Sequence, residues 1–94
     1  VADTRRLLTG LREYHSTLTR HHAALRHEYL ALERRYHALQ HVYEGDAAEQ
    51  FKVGWARTHA TFQEYMDRGQ VIQSLLSERI DALEAANRAD GDLS

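Results

Sequence analysis

From Leu7 to Tyr43 the apolar positions step by three or four: Leu7, Leu11, Tyr14, Leu18, His22, Leu25, Tyr29, Leu32, Tyr36, Leu39, Tyr43. That spacing lays one stripe along one side of a helix and predicts a helix over about 4–43. The steps follow the 4-3 alternation of coiled coils, except that Leu18 is both reached and left by a step of four. The extra half-turn predicts a stutter that locally unwinds a supercoil. Asp3 or Thr4 is expected to cap the start. A second stripe runs Ala48, Phe51, Trp55, Thr58, Phe62, Tyr65, Gly69, Ile72, Leu76, Ile80 (or Arg79), Leu83 and predicts a helix over about 47–88. Asn87 and Gly91 offer a stop, and the polar tail 89–94 is expected to fray.

Between the stripes, residues 44–46 are expected to turn the chain. Gly45 can adopt the left-handed backbone that closes a helix. Asp46 is expected to cap the next helix, with Glu49 three residues on completing a capping box. The predicted fold is therefore all-α: one domain over 1–94, with two antiparallel helices of similar length in a hairpin. Each stripe is wider than one helix–helix contact, flanked by Leu8, Leu30, Val42, Val53, Met66, Val71 and Leu75. A lone hairpin would leave part of it in water, so pairing of two hairpins into a four-helix bundle is expected. The expected core and interface residues are Leu18, Leu25, Tyr29, Leu32, Tyr36, Leu39, Phe51, Trp55, Phe62, Ile72, Leu76 and Leu83.

Composition sharpens this picture. The 94 residues contain no proline, which removes the commonest helix breaker, and no cysteine, which excludes disulfides and thiolate metal sites. A net charge of −2 gives no electrostatic case for nucleic acid or an anionic membrane. No apolar run is long enough for a signal peptide core or a membrane span, so any export is expected to proceed without a cleaved N-terminal signal. Eleven arginines against the single Lys52 fit a GC-rich genome of the actinobacterial kind.

Candidate chemistry is sparse. Glu-x-x-His and His-Glu-x-x-His ligand spacings are absent, as is a glycine-rich phosphate loop, and no enzyme activity or cofactor is expected. Glu33, His37 and His41 step by four and are the one candidate metal set; solvated polar positions beside the core are the preferred reading. His22 falls on the stripe itself, where a hydrogen-bonded interface histidine is expected rather than a ligand, with a pH-sensitive contact as its consequence. Gly69 reads as a small residue at a close helix approach or as a mild kink. Tyr14, Tyr29, Tyr36, Phe51, Trp55 and Phe62 read as core, because no basic groove surrounds them. Glu64 and Arg68 are spaced to pair along the second helix.

The turn carries a resemblance. Helix, aromatic-x-Gly turn at mid-chain, helix, within about a hundred residues, is similar to the WXG family of small ESAT-six-like proteins exported by type VII secretion. Tyr43-Glu44-Gly45 occupies the motif, with tyrosine in place of the family's tryptophan. Ala47, Phe51 and Trp55 stand where that family often has an alanine, an aromatic residue and a tryptophan. The resemblance implies a protein made in the bacterial cytoplasm and secreted, alone or with a partner. It would act as a homodimer or as a heterodimer with a paralogous chain. A secretion ATPase or a toxin cargo would read the turn at Tyr43. Gly45 would then set turn geometry and Trp55 core packing. The family's Tyr-x-x-x-Asp/Glu export signal has no counterpart, since Ala86-Asn87-Arg88-Ala89-Asp90 lacks the tyrosine. The alternative is an intracellular adaptor module or, given the start at Val1, the N-terminal helical domain of a longer toxin.

Overall fold

The computed structural model describes residues 2–40 and 44–93 as two helices, α1 (Ala2–Gln40) and α2 (Asp46–Leu93), arranged as a helical hairpin. Tyr43, His41 and Val42 lie outside the described residues. Gly45 has φ +106°, the left-handed region that only glycine enters without strain, as the turn requires.

The start of α2 differs from the expected capping box. The Glu49 N–H donates to the Gly45 carbonyl at 3.1 Å, so Gly45 itself is the N-cap and Asp46 is already in the first turn. Asp46 and Glu49 thus support the helix as charges near its positive end. The helix also starts and ends differently at the termini. α1 begins at Ala2, placing Asp3 inside the first turn. α2 runs to Leu93 instead of fraying from residue 89, so the helices are 48 and 39 residues long rather than matched. Ala85, Ala86 and Ala89 are strong helix formers, and one glycine costs only about 1 kcal/mol, so Gly91 does not end the helix.

The chain forms two compact units, one comprising 1–21 with 69–94 and the other, turn-proximal, comprising His22–Arg68. In the turn-proximal unit the described buried and half-buried positions are His22, Leu25, Tyr29, Ala31, Glu33 and Tyr36 on α1, and Ala48, Trp55, His59, Phe62 and Met66 on α2. In the terminal unit they include Leu8, Leu11, His15 and Leu18 on α1, and Gly69, Gln73, Leu76, Ile80, Leu83 and Asn87 on α2. Along α1 these positions alternate strictly by four and three from Leu8 to Tyr29. The expected stutter at Leu18 is therefore absent: it arises only when Leu7 and Tyr14 are read as inward in place of Leu8 and His15. The same exchange occurs on α2, where His59, Met66 and Gln73 face inward and their neighbours Thr58, Tyr65 and Ile72 stay exposed.

Candidate interaction face

The turn-proximal unit is held by a ladder of rings contributed alternately by the two helices. Tyr29 stacks on Phe62 with ring centres 3.9 Å apart and on Trp55 at 5.6 Å. Tyr36 stacks on the other side of Trp55 at 4.8 Å and meets Phe51 at 5.8 Å. Each such pair adds about 0.5–1.5 kcal/mol beyond its area. Burial, reinforced by the Glu33 charge, raises the Tyr29 pKa above its ordinary value, and its hydroxyl shares a hydrogen bond with His59 Nδ1. His22, at the far end of this unit, is buried; its Nδ1 lies 3.3 Å from Met66 Sδ and its ring stacks on Tyr65 at 5.2 Å.

The two edges of this contact carry different side chains. One edge carries Arg26, Leu30, Glu33, Gln63 and Met66. Glu33 there lies 3.7 Å from His37 Nε2 on its own helix and 4.0 Å from His59 Nδ1 on the other. The opposite edge is a shallow groove lined by Leu25, Arg57, Thr58, Thr61, Phe62 and Tyr65, and a separate hollow toward the turn brings Tyr36, Leu39, Ala48 and Phe51 together with Gln40, Glu49 and Lys52. Leu32 is seven residues from Leu25 and from Leu39, and therefore on the same side of α1. Leu32 is 54% exposed, Leu39 50%, Phe51 50% and Tyr65 46%. The terminal unit repeats the asymmetry within itself. Arg12 pairs with Glu84 and Thr19 with Gln73 along one edge, while Leu7 and Tyr14 flank the contact on the other edge of α1 and stay exposed.

Leu32, Leu39, Phe51 and Ile72, expected in the core or interface, are therefore outside the hairpin core. Leu18, Leu25, Trp55, Phe62, Leu76 and Leu83 are half-buried, and Tyr29 and Tyr36 are buried. Gly69 is buried too, in keeping with a small residue at a crowded position. Glu64 and Arg68 form the expected pair at 2.7 Å. The metal candidates are rearranged: His41 is outside the described residues, and the second imidazole near Glu33 belongs to His59. Among the described residues no group of three or more His, Asp or Glu side chains is placed to hold a metal ion. Among them, too, no helix is long and apolar enough to cross a membrane. Ala47 is exposed in the first turn of α2, with Gln50, Phe51 and Trp55 beside it.

Five leucines, Leu11, Leu18, Leu25, Leu32 and Leu39, are spaced by seven along α1; the first three are half-buried in the hairpin contact and Leu32 and Leu39 are exposed. No protein-family model matches the chain, and neither curated proteins nor solved structures give a match.

Proposed function

We propose that this chain is a protein-recognition module, a helical hairpin that acts by pairing its open apolar edge with other helices. The observation that supports this reading is the half-exposed set of Leu32, Leu39, Phe51 and Tyr65 on one edge of the turn-proximal unit. Half-exposed aromatic side chains leave roughly 100 Å² each uncovered and leucines somewhat less, so these four alone leave on the order of 300–400 Å² in water. That matches the largest apolar patch of a typical monomer, and such patches mark interaction sites.

The biological setting that fits a small hairpin with an aromatic-x-Gly turn is type VII secretion, as a WXG-like substrate or co-secreted partner. In that setting Tyr43 is the residue read by the secretion machinery or a cargo, and Gly45 holds the turn that presents it. An epitope-tagged chain expressed in a bacterium with a type VII apparatus should reach the culture filtrate. It should stay in the cells when the secretion ATPase is deleted, and Tyr43→Ala should reduce export. Equal retention in both strains would contradict the secretion setting.

A further inference from the structure

We propose that Glu33, His37 and His59 form a proton-operated clamp: two imidazoles, one from each helix, close on a single carboxylate and tie α1 to α2 more tightly in mildly acidic solution. The clamp acts on the inner contact of the hairpin and is independent of what the open edge pairs with. Glu33 is half-buried on α1; its Oε1 lies 3.7 Å from His37 Nε2 and its Oε2 lies 4.0 Å from His59 Nδ1. Both separations are longer than a hydrogen bond. The neighbouring hydrogen bonds fix which nitrogens carry protons. Gln40 Nε2 donates to the Tyr36 hydroxyl at 3.0 Å, which leaves Gln40 Oε1 facing His37 Nδ1 at 3.2 Å. An amide oxygen only accepts, so Nδ1 carries the proton of a neutral His37, and Nε2 presents a lone pair to Glu33. His59 Nδ1 is hydrogen-bonded to the Tyr29 hydroxyl. With that hydroxyl donating, a neutral His59 also turns a lone pair toward Glu33. Each ring therefore meets the carboxylate with a bare nitrogen while neutral, and with an N–H and a positive charge once protonated. His59 Nδ1–H then donates to the Tyr29 oxygen. The phenol proton is freed to turn toward Glu33, one turn along α1, whose charge already acts on this phenol.

The charged neighbours set the terms. Arg26 lines the same edge, and Arg34 stands one turn before His37. From α2, Glu49 and Lys52 share the hollow toward the turn with Tyr36 and Gln40, one charge of each sign. His41, one turn beyond His37, lies outside the described residues and stays unaltered in the test. The two arginines favour an ionised Glu33 and oppose further positive charge, so neither ring gains by protonation without the carboxylate beside it. The clamp's contribution is complete when both rings are charged. It is lost as pH rises through the range near 6.5 where imidazole ordinarily titrates, and lost again below about pH 4 as carboxylates are neutralised. Acidification also acts on His22, buried against Met66, where a charged ring costs desolvation. Total stability therefore mixes opposite effects, and the coupling of Glu33 to the two imidazoles isolates the clamp.

The test is a double-mutant cycle in the full chain, by chemical denaturation at about pH 5.5 and about pH 8 in the presence of EDTA, with helicity checked by circular dichroism. Glu33→Gln should raise the unfolding equilibrium constant at least about threefold more at the lower pH than at the higher. In a background carrying both His37→Gln and His59→Gln, Glu33→Gln should act equally at the two pH values. Salt at about 1 M should shrink the difference seen in the unaltered background. Because His59→Gln also removes the bond to Tyr29, a second cycle uses His37→Gln alone, at an exposed position that leaves the ring stack intact. It should remove part of the pH difference. A Glu33→Gln effect that is the same at both pH values, or a difference that survives loss of both imidazoles, would overturn the clamp. A difference unaltered by His37→Gln would overturn the three-residue arrangement.

Discussion

The two units of this hairpin solve the same packing problem with different residues. In the turn-proximal unit Tyr36, Trp55, Tyr29 and Phe62 form a continuous stack, and the inward polar groups are tied to it through Tyr29 and His59. The terminal unit has no ring stack among its described contacts: its inward positions are Leu8, Leu11, Leu18, Leu76, Ile80 and Leu83, interrupted by His15, Gln73 and Asn87. Among the described residues its cross-helix side-chain ties are Arg12–Glu84 and Thr19–Gln73, at the solvent-facing rim of the contact. Exposed ion pairs contribute about 0–1 kcal/mol, whereas a buried aromatic contributes several times that. The difference teaches that the hairpin is anchored near its turn, and that the terminal unit should open first.

The largest expected effect comes from Tyr29→Ala, which removes the ring shared by Trp55 and Phe62. It should cost about 3–5 kcal/mol, measured by chemical denaturation. Ile80→Ala, at a buried position of α2 in the terminal unit, should cost less, about 2–3 kcal/mol. If the isoleucine change proves the costlier, the ranking of the two units is wrong. Hydrogen exchange sharpens the same comparison: amides of 24–36 and 55–66 should exchange more slowly than those of 5–18 and 76–88.

Gly45→Val comes next. An added Cβ meets nothing within 4 Å, so the cost is the backbone alone, about 1–2 kcal/mol for a left-handed residue. An unchanged denaturation midpoint would remove Gly45 from the account of the turn. Alkaline titration probes the ladder from another side. The raised Tyr29 pKa means that the folded state favours the neutral phenol. Its contribution is complete below the ordinary tyrosine value of 10.0 and is lost as pH rises through the higher folded value. Stability should therefore fall above about pH 10, and Tyr29→Phe should flatten that fall. The smallest effect is Arg12→Ala, at about 0.5 kcal/mol and diminished by salt. A loss as large as that of Ile80→Ala would mean the terminal unit is held by charge.

The hairpin itself was legible in the sequence, because spacings of three and four over some forty residues allow little else and Gly45 sits at the one interruption. What could not be read by choosing the more apolar of two neighbours was the direction of contact. At Tyr14/His15 and Ile72/Gln73 that rule selects the first residue, while the second faces inward. The reason is physical. Each helix carries more apolar side chains than the contact within the hairpin covers, and their summed direction lies away from that contact. Requiring an unbroken 4-3 alternation through Leu8, His15, His22 and Tyr29 recovers the contact and leaves Leu32 and Leu39 outside it. The Asp46–Glu49 box misled for a different reason: Gly45 serves both as the left-handed turn residue and as the N-cap, a double use that composition does not announce.

The central claim is that the aromatic ladder near the turn anchors this hairpin. Hydrogen exchange of the full chain, followed amide by amide, tests it most directly. The account predicts slower exchange over 24–36 and 55–66 than over 5–18 and 76–88. Equal exchange in the two sets, or slower exchange in the second, would contradict it.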